Sequence, residues 1–152
     1  MYRRKRRSVR AFTLIEVLLV AGILALLAAF AIPKLMNQAQ EAKIKLASAA
    51  VGRNGPIAKA LEAYKWDMGK YPETDEGLNA LFAPKGSRDE RYKGPYLEGS
   101  IEELKDPWTM PYEYKAPGQI HEEGYDIWSR GPDGVNDDGK AGSDDIKNWT
   151  EK

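Results

Sequence analysis

The chain has 152 residues with 23 basic and 23 acidic side chains, so its formal net charge is zero. Six of the basic groups (Arg3, Arg4, Lys5, Arg6, Arg7 and Arg10) lie within residues 1–11 beside no acid, which leaves 17 basic against 23 acidic groups from Phe12 onward; a body with that balance argues against a nucleic-acid partner. The length admits one ordinary domain with a modest core, and the absence of cysteine excludes both a disulfide framework and a Cys-ligated zinc site.

From Phe12 to Ile32 the chain is apolar for 21 residues, and its only charge is Glu16. As a helix this segment is roughly 31 Å long, enough to span a bilayer core of about 30 Å. The basic cluster precedes it and Lys34 alone follows closely, so the positive-inside rule keeps the amino terminus cytoplasmic and sends the remainder across. A secretory signal peptide is the competing reading, with Ala29-Phe30-Ala31 as its small-x-small site and a soluble product starting at Ile32. Glu16 opposes it, because a carboxylate costs about 2.5–3.5 kcal/mol near the bilayer centre and less near the headgroups. Cleavage between Ala11 and Phe12 would give that acid a purpose. The new α-amino group of Phe12 is a cation one turn from Glu16, and between staggered chains the two charges neutralise one another.

The segment Arg10-Ala11-Phe12-Thr13-Leu14-Ile15-Glu16-Val17 resembles the class III signal of type IV prepilins and pseudopilins. The resemblance implies that a membrane-embedded prepilin peptidase cuts after Ala11 and methylates Phe12, and that Glu16 directs assembly. Ala11 stands where the family usually has glycine.

Past the anchor, Pro33 kinks the expected helix without ending it. Leu35, Ala39, Ala42, Leu46, Ala49 and Ala50 then recur as an apolar stripe at three- and four-residue spacing. The run Gly52-Arg53-Asn54-Gly55-Pro56 interrupts, with Pro56 placed to open a renewed helix whose Ile57, Ala60, Leu61 and Tyr64 share a face. Gly69-Lys70-Tyr71-Pro72 closes the helical region. A short helix is expected over Glu76 to Phe82, and strands over Tyr112 to Lys115 and Gly124 to Ser129, the latter with Tyr125, Ile127 and Ser129 on one face. A small antiparallel sheet on a helix makes the class α+β. The organisation read from the chain is a leader over 1–11, an anchor over 12–32, an amphipathic continuation over 33–66 and a globular body over 67–152.

The body carries Tyr71-Pro72-x-Thr74-x-Glu76-Gly77-Leu78-x-Ala80-Leu81, Lys105-Asp106-Pro107-Trp108, Pro111-Tyr112, Ala116-Pro117-Gly118 and Tyr125-Asp126-Ile127-Trp128-Ser129-x-Gly131-Pro132-Asp133-Gly134. This ordered series resembles the major pseudopilins of type II secretion over nearly the whole chain. The resemblance implies a pilin-like fold and a homopolymer, joined by minor pseudopilins and built by an inner-membrane assembly platform with a cytoplasmic ATPase. It places the chain in the bacterial inner membrane, surrounded by lipid before assembly, and then in a periplasmic pseudopilus. Two alternatives remain at this level: a type IV pilus or competence subunit, and a membrane-anchored calcium-dependent binding module.

Between Asp133 and Asp145 five Asp and one Lys share 13 residues with glycines at 134, 139 and 142. Their mutual repulsion needs an offset if the loop is ordered. Calcium, with six to eight oxygen ligands in flexible geometry, suits such a loop better than magnesium, and a solvated acidic loop is the rival reading. The spacing is not that of a calcium helix-loop-helix hand, since aligning Gly139 with its invariant glycine puts Gly134 where an Asp is needed. The resemblance implies one calcium, held by the side chains of Asp133, Asp144 and Asp145 and the carbonyls of Arg130 and Val135. The segment from Asn136 to Ser143 is longer than usual for the family, which leaves Asp137 and Asp138 as further candidates.

Catalysis finds no support. His121 is the single histidine, lies beside Glu122 and Glu123, and reads as a surface residue, so neither a triad nor a His-rich zinc site can be built on it. Trp66, Trp108, Trp128 and Trp149 read as core or interface packing.

Overall fold

The computed structural model describes residues 12–83 and 89–150. Helix α1, Leu14–Val51, runs for 38 residues and continues through Pro33. Leu, Ala, Glu, Gln and Lys dominate it, all residues that lose little freedom in a helix. It contains a segment long and apolar enough to cross a membrane, and the other described residues bury none of that segment. Packing divides the chain into two units, one up to Ala39 and one from Gln40 onward, so α1 contributes to both.

The break read at Gly52–Pro56 is real. A Cβ on Gly55 would lie 2.4 Å from the Ala49 carbonyl oxygen and 2.5 Å from that of Ala50, so the chain folds against its own helix end at a distance only glycine permits. Pro56 then opens helix α2, Pro56–Met68, where its missing N–H is no loss. Gly69 ends α2 in the left-handed region at φ 80°, its N–H donating to the Lys65 carbonyl at 2.8 Å.

Helix α2 turns Ile57, Ala58, Ala60, Leu61 and Tyr64 inward. They join a core with Leu78, Ala80 and Leu81 of a short 3₁₀ turn, Gly77–Leu81, and with Tyr92, Tyr114, Tyr125 and Ile127. Ile57, Leu61, Leu81 and Ile127 are each at most 1 % exposed, and burying them contributes roughly 1.5–3 kcal/mol apiece. The sheet has strands β1, Glu113–Lys115, β2, Asp126–Ser129, and β3, Ile146–Lys147, in the order β1-β2-β3 and antiparallel throughout. Tyr114 pairs with Ile127, and Ser129 with Ile146. Two buried tyrosine hydroxyls are satisfied: Tyr114 donates to the Pro72 carbonyl at 2.8 Å and Tyr92 to that of Ala83 at 2.7 Å.

Two expectations need correction, and one strand went unread. The helix expected over Glu76 to Phe82 is a five-residue 3₁₀ turn, and β3 lies in a stretch where no strand was read, because two residues carry too little pattern to see. Strand β2 is covered on both faces, Asp126 to Ser129 all being buried. The stripe Leu35, Ala39, Ala42, Leu46 and Ala49 is exposed, and the side of α1 turned inward carries Ala47 and Val51, with Gln40, Lys43 and Ala50 half-buried. Apolar residues surround this part of α1, so periodicity alone does not say which side the body covers.

Candidate assembly signal and metal loop

Ala11 lies outside the described residues. Phe12 is exposed, and the first turn of α1 is closed by Thr13 and Glu16. The Thr13 N–H and hydroxyl both donate to Glu16 Oε2, at 2.9 and 3.0 Å, and the Glu16 N–H donates back to Thr13 Oγ1 at 3.3 Å. This is a capping box, in which a Thr and a Glu three residues apart satisfy the donors that a helix start leaves open. Sequence reading assigned Glu16 a partner in another chain and missed the one beside it. The pattern Thr-x-x-Glu ahead of an apolar run was the available signal.

At the other end, the acidic loop is ordered by hydrogen bonds among its own parts. The Asp133 N–H donates to Asp144 Oδ2 at 3.2 Å, and the Val135 N–H to Asp133 Oδ1 at 2.8 Å. Asp145 Oδ2 accepts from the Gly139 N–H at 2.8 Å and the Asp137 N–H at 3.2 Å. Asn136 Oδ1 accepts from the Trp128 indole at 3.0 Å, which fixes the longer segment to β2. Lys147 Nζ donates to the carbonyls of Gly139 and Lys140 at 3.1 Å each, and Lys115 lies 3.5 Å from Asp138. Part of the expected repulsion is thus offset by the protein's own cations.

Glycines let the loop close. At Gly131, φ 68°, a Cβ would sit 2.2 Å from the Asp144 carbonyl oxygen; at Gly139, φ 64°, it would sit 2.3 Å from the Trp149 ring. A side chain at either position would push apart the two ends of the loop.

Asp145 is the residue that points to a cation. It is 5 % exposed, and its Oδ1 is buried without a hydrogen-bond partner among the described residues. Burial pushes its carboxyl above the ordinary range, and the neighbouring Asp137 and Asp144 push the same way, against two backbone N–H groups that pull it down. A buried oxygen left bare is costly, and an all-oxygen donor set of carboxylates and carbonyls suits a hard cation such as calcium. Among the described residues no three acidic or histidine side chains form a ready cluster. A cation there would draw on backbone carbonyls, such as those of Arg130 and Val135, as well as on Asp133, Asp144 and Asp145.

Asp106 escaped the sequence reading of the site, although the Lys105-Asp106-Pro107-Trp108 motif contained it. It is 4 % exposed, accepts from the N–H groups of Trp108 and Met110 at 3.0 and 2.8 Å, and from the Ser129 hydroxyl at 2.6 Å. Ser129 Oγ in turn accepts from the Gly131 N–H at 3.2 Å. The buried carboxylate thereby sets the start of the acidic loop. Asp126 plays a similar part for the preceding turn, accepting from the Ile120 N–H at 2.8 Å and lying 2.8 Å from His121 Nδ1. His121 is a pin for that turn.

A capped, unpacked apolar helix continuous with a small α+β body defines a pilin-like subunit with a membrane anchor. Residues 6–32 match the prokaryotic N-terminal methylation motif, and residues 34–149 match the family described as Type II secretion system (T2SS), protein G. The chain is similar to the type II secretion system core protein G of Pseudomonas aeruginosa, 39 % identical over 149 residues, which is 95 % of this chain and 98 % of that one. To the core protein G of Klebsiella pneumoniae it is 40 % identical over 144 residues, 93 % of this chain and 94 % of that one. The crystal structure of the major pseudopilin from enterohaemorrhagic Escherichia coli superposes with a TM-score of 0.53 at 34 % identity, covering 76 % of this chain and 89 % of that one. The chain belongs to the type II secretion system protein G family. It is a structural subunit of a pseudopilus and not an enzyme.

Proposed function

We propose that the chain is made as an inner-membrane precursor with a cytoplasmic amino terminus, is cut after Ala11 and methylated at Phe12, and is then drawn into a periplasmic pseudopilus. The anchor helix, apolar but for Glu16 and unburied by the other described residues, is the observation that carries this reading. A helix in that state needs lipid before assembly and other copies after it. Glu16 is held by Thr13 within the chain, and among the described residues its charge has no cation, a place the amino group of a neighbouring Phe12 would fill. A platform with a cytoplasmic ATPase would supply the work, and minor pseudopilins would join the polymer. In the body, Asp145 with Asp133, Asp144 and the carbonyls of Arg130 and Val135 would hold calcium, whose charge offsets the acidic loop and fixes its shape.

Mass spectrometry of the mature protein tests the processing. A terminus at methylated Phe12 is expected, and a terminus at Ile32 would refute it. Electron microscopy of cells overproducing the chain with its secretion system tests the polymer: filaments are expected from the wild type and none from Glu16→Ala.

A further inference from the structure

The run Gly52-Arg53-Asn54-Gly55-Pro56 joins α1 to α2. Asn54 is exposed there, and it is the only asparagine of the chain that a glycine follows. An Asn-Gly pair is prone to lose its side-chain amide, because glycine has no Cβ to hinder attack by its own backbone nitrogen. In that step the Gly55 nitrogen gives up its proton and bonds to Asn54 Cγ, the Cγ–Nδ2 bond breaks, and ammonia leaves. Water then opens the resulting succinimide, either to aspartate or to isoaspartate, whose main chain runs through the former side chain and is longer by a methylene.

The fold withholds the nucleophile. The Gly55 N–H donates to the Gly52 carbonyl at 2.8 Å, and the Gly55 carbonyl accepts from the Lys59 N–H at 3.1 Å, so the peptide groups on both sides of the residue are held. Gly55 is buried, and the carbonyl oxygens of Ala49 and Ala50 stand within 2.5 Å of where a Cβ would be, which leaves no room for the swing that ring closure demands.

We propose that Asn54 is a deamidation site that the folded body keeps shut, so that damage there enters only through chains that are unfolded or locally open. The product matters as much as the rate. Val51 and Ile57, on either side of the break, are each 1 % exposed in the same core. A methylene added to the main chain between them displaces one or the other, whereas aspartate adds none and leaves both in place. The α1–α2 junction is thus a point at which a chain that has aged unfolded loses its way back to the native body. This inference is independent of the polymer and of calcium.

The full-length chain in detergent and a synthetic peptide of residues 49–58 are incubated in mildly alkaline buffer, and isoaspartate at position 54 is counted by peptide mapping. The folded chain should convert at least about tenfold more slowly than the peptide, and the Gly55 N–H should be protected from hydrogen exchange by a similar factor. Equal rates in chain and peptide would overturn the proposal. Slow conversion with an unprotected Gly55 N–H would overturn the role given to its bond with Gly52. For the product, the chain is deamidated in guanidinium chloride and returned to native buffer, beside Asn54→Gln taken through the same cycle as a control that cannot form the succinimide. Asn54→Gln and Asn54→Asp should both refold and melt with the wild type, and the isoaspartate fraction should melt lower or fail to refold. An isoaspartate fraction that melts with the wild type would end the argument from core register.

Discussion

Glu16 and Asp145 stand at opposite ends of the chain and solve the same problem in different ways. Glu16 sits in an otherwise apolar segment, and Thr13, three residues away, gives its Oε2 two hydrogen bonds. Asp145 lies in a folded loop where one oxygen takes two backbone N–H groups and the other is buried and bare. The first arrangement is local and forms as soon as the helix does; the second exists only after residues from 106 to 149 have met. An acid with local donors is satisfied as soon as its helix forms, whereas a buried carboxylate oxygen without a donor is costly.

Removing the acids should separate the two ends. Glu16→Ala carries the largest effect: filament yield by electron microscopy should fall at least about a hundredfold, in line with roughly 3 kcal/mol for breaking a buried charge pair, while the body's melting temperature stays put. Normal filaments from that variant would remove the reason for an acid in the anchor. Asp106→Ala should cost the body about 3 kcal/mol in urea unfolding, because it strands the Ser129 hydroxyl and two backbone N–H groups that the carboxylate now accepts from. Its effect should appear with and without calcium, which distinguishes a structural acid from a ligand.

Asp145→Asn should behave in the reverse manner. Without calcium the variant should melt no lower than the wild type, since a raised folded-state pKa means the ionised carboxylate costs stability above its pKa, and the amide removes that cost. With calcium at a hundred times its dissociation constant the wild type should gain about 2.7 kcal/mol, and Asp145→Asn and Asp133→Ala should each lose most of it. Calorimetric scans with calcium and with chelator decide this, and a wild type indifferent to both would end the calcium reading. The smallest effect belongs to Thr13→Ala, which removes the capping box and should weaken the first turn of α1 by about 1 kcal/mol. Circular dichroism of the anchor peptide in micelles would register it as lost helicity.

Much of this protein was legible because the signals are short in range. Pro56 as the first residue of α2, Gly69 as its end, and the Gly52–Gly55 break all follow from what proline and glycine do to the backbone next to them. The helical partition of the anchor followed from its unbroken apolar run. The inward side of α1 did not follow, because Ala42, Leu46, Ala47, Ala49 and Val51 offer apolar groups on several sides and only the packing of the body selects Ala47 and Val51. Nor did the exposure of Trp66, since residue type gave it as much claim to the core as Trp128.

The sequence by itself determined the elements whose causes lie within a turn or two of chain: the anchor, the α2 boundaries, the acidic loop and the motifs that place the chain in its family. Tertiary structure alone decided the rest: which oxygen of Asp145 is left without a donor, that Asp106 reaches across to Ser129, and which apolar residues stay outside. Those outcomes depend on groups far apart in sequence, whose desolvation and pairing have no local signature.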